Sequence, residues 1–247
     1  ENITTLGRGG SDTSAVALAA ALGVRDCEIY TDVDGVYTAD PRVVGGARKL
    51  NEISYDEMLE LARLGAGVLH SRSVEFGKKY NVRIHVRSSF NRNEGTIVKP
   101  REEMMEKFTM SGVTSKSDEV KFNIYGIPDC PGIAQKIFTV LGEEKIYVNM
   151  IVQSTGKDGK ADISFTVLKK DIDRVKAISE KIKTELKGDE VTFQENIAIV
   201  SAVGVGMLSS AGVAGKLFRI LSEHNINIQM ISTSEIGISC VIDEMYA

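Results

Sequence analysis

The sequence predicts an α/β protein in which a helix-covered sheet is followed by two copies of a ferredoxin-like βαββαβ module. Two observations carry that prediction. Up to about residue 112, apolar strand-like runs alternate with helical ones, the pattern of a parallel sheet covered by helices. Beyond it, "PGIAQKIFTVLGEEKIYVNMIVQS" (131–154) returns as "AGVAGKLFRILSEHNINIQMISTS" (211–234), identical at ten of twenty-four positions with a constant offset of 80 and no gap. Self-similarity of this kind marks two copies of one unit. At 247 residues the chain is long enough for a sizeable core, and for one, two or three small domains.

The first elements follow in order. An alanine-rich helix is expected over 13–22, with Ser11 and Asp12 as N-cap residues. "CEIYTDV" (27–33) reads as a strand, and 54–64 as a helix capped by Ser54 with Glu57 three residues on, the reciprocal capping box. Met58, Leu61 and Ala62 share one face of it. A helix over 73–81, a strand over 82–90, and a short strand with a polar linker over 94–108 complete the first part. Each repeat copy then has a strand before it ("KFNIYGI", "IAIVSAVG") and one after it ("ADISFTV", "GISCVID"). In the first copy, a helix over 172–186 and "EVTFQ" complete βαββαβ. Asp-Gly at 158–159 suits a hairpin turn. The second copy stops before its own second helix, so it is incomplete or borrows elements. The expected divisions are 1–112, 118–195 and 196–247.

Composition narrows the function. A net charge of −4 and a pI near 5.6 give no electrostatic case for nucleic acid or an anionic membrane. No apolar run approaches the roughly 20 residues of a membrane helix. Cys27, Cys130 and Cys240 form neither a metal pattern nor a disulfide framework, so a cytoplasmic location with structural thiols is expected. His70, His85 and His224 lack partners at ligand spacing and read as helix-cap or surface residues, and no metal site is expected.

Two loops carry the chemistry. In "TTLGRGGSDTSAVALAAALG" (4–23), Gly9 and Gly10 let the backbone approach a ligand, and a helix N-terminus attracts anions. Arg8 adds a planar fork for a carboxylate or phosphate. Asp12 is itself anionic and suits a residue that orients a cation or a transferring group. The alternative is a capped helix behind a glycine-rich turn. In "IYTDVDGVYTADPR" (29–42), Asp32, Asp34 and Asp40 follow a strand end, where ligands bind in such sheets. The spacing is wrong for an EF-hand, because Gly35 stands fourth from Asp32 and Val43 closes the run. Tyr37 and Arg42 suit a base and a phosphate; Asp-Gly and Asp-Pro equally suit a solvated turn.

These stretches, with "KLNEISYDEMLELARLGAGVLH" and "VRIHVRSSF", closely resemble aspartate kinases of the amino-acid kinase superfamily, and the tandem modules resemble their ACT domains. The resemblance implies the carboxyl-terminal part of a carbamate-kinase-like αβα sandwich followed by two ACT domains. It implies phosphorylation of the L-aspartate side chain by ATP with Mg2+, giving 4-phospho-L-aspartate, the first step toward lysine, threonine and methionine. By motif, Arg8, Gly9, Gly10 and Ser11 would hold the substrate and Asp12, with Arg8, would serve the transfer. Thr31, Asp32, Tyr37, Thr38, Asp40, Pro41 and Arg42 would line the ATP pocket. Lysine or threonine would bind at Asp129, Gly132, Ile133 and Ala134, with Val148, Asn149 and Gln153. Asn227, Ile228, Ser234 and Glu235 would join them from the second copy. A homodimer or higher oligomer through the ACT domains is implied as well.

The sequence departs from the family in five places. The "KFGGTS"-type segment with the catalytic lysine, an upstream acidic substrate residue and the last ACT helix are not among these 247 residues. Gly67 and Ser71 stand where many relatives have Lys and Pro. This chain alone is therefore not expected to complete catalysis. Two other readings stay open: a regulatory amino-acid-binding polypeptide without catalysis, and a superfamily kinase acting on another acceptor.

Overall fold

The computed structural model describes residues 6–7, 9–104, 110–156, 158–207 and 212–247. In chain order these form α1 (Gly10–Ala21), β1 (Asp26–Thr31), β2 (Glu52–Ser54), α2 (Tyr55–Arg63), α3 (Ser71–Tyr80), β3 (Arg83–Ser88) and β4 (Thr96–Lys99). Then come β5 (Gly112–Lys116), β6 (Glu119–Pro128), α4 (Ile133–Glu143), β7 (Val148–Thr155), β8 (Lys160–Leu168), α5 (Ile172–Leu186) and β9 (Glu190–Gln194). The last are β10 (Ile197–Val203), α6 (Val213–Glu223), β11 (Met230–Thr233) and β12 (Gly237–Asp243). Two compact units result. One takes the residues up to Ser115 with Val200–Ile220 and Thr233–Ser239; the other takes Lys116–Ile199, Leu221–Ser232 and Cys240–Ala247.

The first sheet has the order β1-β3-β4-β2. β1 and β3 are parallel, as are β2 and β4, whereas β3 and β4 run antiparallel. The expected parallel sheet is thus a mixed one. Too few residues separate β3 from β4 for a crossover connection, which needs a dozen or more, so the chain returns as a hairpin. Burial alternates along β1 and β3: Cys27, Ile29, Ile84 and Val86 face a core shared with Val16 of α1, Met58 and Leu61 of α2 and Val74 of α3. On the other face Arg83 grips Asp26 at 2.6 Å and Arg87 reaches Glu28 at 3.1 Å. The capping box at Ser54 and Glu57 is present.

The first repeat copy folds as a sheet of order β7-β8-β6-β9, the ferredoxin-like arrangement. Ile133, Ile137 and Leu141 recur every four residues and place α4 on that sheet; α5 adds Val175, Ile182 and Leu186. Phe122 of β6 and Phe165 of β8 stack at 5.7 Å between centroids, fully buried. The hairpin between β7 and β8 turns at Asp158 and Gly159, both at positive φ.

The second copy has the order β11-β12-β10-β5. The fourth place is taken by β5, from the segment that precedes the first copy, so the second copy borrows a strand. Within the second unit, Met150 of β7 joins Met230, Ile197, Ile199 and Val241 in one apolar cluster. The offset-80 partners Met150 and Met230 therefore meet in a shared core.

Candidate functional site

The glycine-rich turn leads directly into α1. Gly9, at φ 71°, is the N-cap residue, and α1 starts at Gly10, three residues earlier than the sequence suggested. Ser11 and Asp12 do not cap the helix; they lie in its first turn, with the Ser11 hydroxyl 3.4 Å from Asp12 Oδ1. The physical reason is Gly9. Its left-handed conformation lets its carbonyl accept both the Thr13 amide (3.2 Å) and the Thr13 hydroxyl (2.9 Å), starting the helix without a side-chain cap. Burial, and then the Asp12 charge, raise the Cys27 thiol pKa, which places Asp12 within electrostatic reach of β1. Arg8 lies outside the described residues.

Sequence reasoning read His70 as a helix-cap or surface residue; it caps α3, its Nδ1 accepting the Arg72 amide. It also lies directly against Gly9, where a Cβ would fall 2.3 Å from the His70 side chain. Any residue but glycine at position 9 would displace this contact and strain the backbone. Arg72 adds a hydrogen bond to the Leu6 carbonyl at 3.1 Å. Nothing in the sequence spacing signalled the His70 contact, because sixty residues separate the partners.

The second loop is held from within. Tyr37 bridges Lys49, the Thr38 hydroxyl accepts the Arg48 amide, and the Leu50 amide donates to the Val36 carbonyl. The buried Thr96 hydroxyl accepts the Val36 amide at 2.8 Å and donates to the Leu50 carbonyl at 2.6 Å. Asp34 is the polar centre: the Tyr37 hydroxyl donates to it at 2.8 Å, and Asn93 and Lys49 approach from other sides. The Tyr37 hydrogen bond, aided by Asn93 and Lys49, holds the Asp34 carboxyl below the usual carboxylate range; the same bond raises Tyr37. Asp40 and Arg42 form a two-pronged pair at 3.0 and 2.8 Å, which lowers Asp40 and leaves Arg42 exposed. Thr31 ends β1, its hydroxyl donating to Asp32 at 3.0 Å, and Pro41 is exposed. Among the described residues no hydrogen bond or ion pair links residues 9–12 to the 31–42 loop, so these two candidate groups are not joined directly. A Cβ at Gly67 meets nothing within 4 Å, so the lysine of many relatives would find room there. Ser71 is the first residue of α3, a position that also accepts proline.

The amino-acid candidates fall in both units. Gly132, at φ 94°, caps α4, Ile133 and Ala134 open that helix, and the Asp129 amide donates to the Gly159 carbonyl across the hairpin turn. Val148, Asn149 and Gln153 lie on β7. Asn149 Nδ2 donates at 2.8 Å to Glu119, a buried carboxylate also held by Lys116 at 2.8 Å, whose Oε2 has no partner among the described residues. Asn227 and Ile228 precede β11 in the same unit, and the Met150–Met230 cluster packs β7 with that strand. Ser234 and Glu235 belong to the other unit, where the Ser234 hydroxyl donates to Glu60 Oε1 at 2.8 Å. Sequence reasoning missed Glu119 and Glu60, because isolated glutamates carry no motif. Among the described residues there is no group of three or more His, Cys, Asp or Glu able to hold a metal, and no helix long and apolar enough to cross a membrane.

An α/β sheet opened by a glycine-capped helix and joined to tandem ferredoxin-like modules defines an amino-acid kinase segment with ACT domains. Residues 1–88 match the amino acid kinase family and residues 123–181 and 200–247 match the ACT domain. The chain is 51% identical over 246 residues to an aspartate kinase of Stutzerimonas stutzeri and 52% identical over 248 residues to an aspartokinase of Helicobacter pylori. Each alignment covers 99% of this chain but only 60% and 61% of the relative, so the chain spans about three fifths of their length. Among solved structures, Clostridium acetobutylicum aspartate kinase superposes with a TM-score of 0.88 at 27% identity, over 99% of this chain and 57% of that one. E. coli aspartokinase III superposes at 0.78 with aspartate and ADP bound, at 26% identity over 98% and 54%, and at 0.74 with lysine and aspartate bound. The regulatory subunit of Thermus thermophilus aspartate kinase matches at 0.54 and 37% identity, over 57% of this chain and 92% of that one. The chain belongs to the aspartokinase family.

Proposed function

We propose that this sequence is the nucleotide-side and regulatory part of an aspartate kinase that transfers the γ-phosphoryl group of ATP to the side-chain carboxylate of L-aspartate. The observation that carries the reading is the start of α1, where Gly9 at φ 71° is the N-cap, Ser11 is exposed and Asp12 stands in the first turn. A carboxylate oxygen attacks the γ-phosphorus, the bond to the β–γ bridging oxygen breaks, and 4-phospho-L-aspartate and ADP leave. No protein nucleophile is required; positioning and charge neutralisation do the work. Arg8 would clamp a substrate carboxylate, the backbone at Gly9, Gly10 and Ser11 would line it, and Asp12 would orient the cationic group that serves the transfer.

The nucleotide would lie along 31–42, where the exposed Arg42 guanidinium fits a phosphate and Tyr37 a base. Mg2+ bound through substrate phosphates needs only one or two carboxylates, so we place it with the nucleotide and not in a resident cage. Lysine or threonine would occupy the ACT modules, its carboxylate toward the amides at the start of α4 and its ammonium toward Asp129 or strand carbonyls. β7 and β11 each end a sheet, a position that suits pairing with a second copy. An E. coli relative solved with aspartate and ADP, and with lysine and aspartate, supports both ligand classes.

A regulatory polypeptide without catalysis is the second reading, favoured by the match to a Thermus regulatory subunit over 57% of this chain. The α1–β4 half, which that match does not span in full, favours the kinase. In the complete protein, Arg8→Ala should raise the KM for aspartate far more than the KM for ATP in a coupled ADP-release assay. Equal effects on both would remove Arg8 from the carboxylate site, and no aspartate-dependent ADP release from the wild type would favour the regulatory reading.

A further inference from the structure

Glu57 is 1% exposed and accepts four hydrogen bonds. Its Oε2 takes the Ser54 amide at 3.2 Å, its share of the capping box, and the Ser54 hydroxyl at 2.5 Å. Its Oε1 takes the Ser111 hydroxyl at 2.5 Å and the Val205 amide at 3.2 Å, partners far away in the sequence. Ser111 stands immediately before β5, and Val205 follows β10. The Ser111 amide donates to the Val203 carbonyl at 2.8 Å, so the two segments are tied to each other as well as to the carboxylate.

The repeat gives Val205 its meaning. At the constant offset of 80 it corresponds to Tyr125, and the loop that follows it corresponds to the 126–132 loop that carries Asp129 and Gly132 in the first module. Two points of the second module are therefore tied to a helix of the kinase half: Val205, and the effector candidate Ser234, whose hydroxyl donates to Glu60 at 2.8 Å. At the other end of α2 the chain runs through 64–69 to His70, whose side chain lies against Gly9. A buried carboxylate cannot release one donor by degrees. In a buried site, losing the Val205 amide leaves a carboxyl oxygen short of a partner, which favours α2 and Val205 moving as one piece.

We propose that Glu57 is the positioning residue through which amino-acid occupancy of the second module is conveyed, by way of α2 and His70, to the turn at Gly9 and Gly10. The proposal rests on the reading of this protein as a feedback-regulated aspartate kinase. The test uses the complete protein, with Glu57→Gln and the milder Ser111→Ala, which removes one of the four bonds. Aspartate phosphorylation is titrated with lysine and with threonine, and binding of each is followed by calorimetry.

Both variants should keep uninhibited kcat and both KM values while still binding the amino acid. The half-inhibitory concentration should rise by at least about five-fold, the lower end of ordinary coupling. Should Glu57→Gln fail to fold, Ser111→Ala decides. Half-inhibitory concentrations equal to wild type would overturn the proposal, as would a wild-type kinase indifferent to both amino acids, which leaves the kinase reading standing. A wild type that does not phosphorylate aspartate would remove that reading and the coupling with it.

Discussion

The two repeat copies share ten of twenty-four residues and one strand order, yet they are completed differently. The first closes its sheet with β9, its own last strand, around a core in which Phe122, Phe138 and Phe165 touch. The second closes with β5, taken from the segment between the kinase half and the first copy. Its strand end and following turn then bond to Ser111 and Glu57. The difference teaches that a module's sequence sets its internal pattern, whereas its wiring is set by what completes the sheet. A module completed by a linker strand alters that linker when it moves.

The largest test of this contrast removes a ring from the self-completed core. Phe165 is fully buried, stacked on Phe122 and edge-on to Phe138 at 5.8 Å. Phe165→Ala should cost about 3–5 kcal/mol. In the complete protein, hydrogen exchange should show lost protection along β6, β7 and β8, with protection kept at β1, β3 and residues 200–203. Equal loss in all of these would mean that both modules and the sheet unfold together, and the contrast would fail.

A smaller effect is expected in the borrowed-strand module. The buried hydroxyls of Ser201 in β10 and Ser239 in β12 lie 2.7 Å apart. Ser201→Ala leaves Ser239 without its partner, at a cost of about 1–3 kcal/mol. Because replacing both partners removes the orphan, the double alanine variant should cost less than the two single variants summed. Urea unfolding of the four proteins checks this, and simple additivity would show that the pair does not interact.

Much of this was legible in the chain and some was not. The helices α2, α4 and α5 announce themselves by capping and four-residue apolar spacing, as at Ser54 with Glu57 and at Ile133, Ile137 and Leu141. The repeat disclosed the ferredoxin-like order because offset identity is insensitive to detail. Three things were hidden. β2 has only three residues, too few for a period to show. The start of α1 was misjudged because Ser11 and Asp12 are good caps, but Gly9 in a left-handed conformation needs no side-chain oxygen. The partners of Glu57, Gly9 and Asp34 are joined by tertiary contact across tens of residues, and no local pattern reports such distances. For the site, residue types and loops were readable, while Lys49, Asn93, Glu119 and the contact of His70 with Gly9 emerged only from the folded chain.

The smallest expected effect separates loop from module by the kind of force that holds each. The 31–50 loop is pinned by polar contacts around Asp34, where the first module is held by rings and aliphatic side chains. Asp34 has a depressed pKa in the folded state, chiefly through the Tyr37 hydroxyl. Its contribution to stability is therefore present above the unfolded carboxyl value near 3.9 and is lost as pH falls through the folded value. Tyr37 is raised by the same bond, so its share is present below its unfolded value near 10 and is lost as pH climbs through the folded one. The bond thus operates across the whole neutral range, and Tyr37→Phe removes it at both ends. On acidification from about pH 5 toward pH 2, the variant should lose less stability than the wild type, most visibly in hydrogen exchange of residues 34–38. The β6 and β8 amides should behave alike in the two proteins. Identical acid profiles at residues 34–38 would show that the loop is held by Thr96 and its backbone bonds alone, and that the contrast in forces is weaker than the geometry suggests.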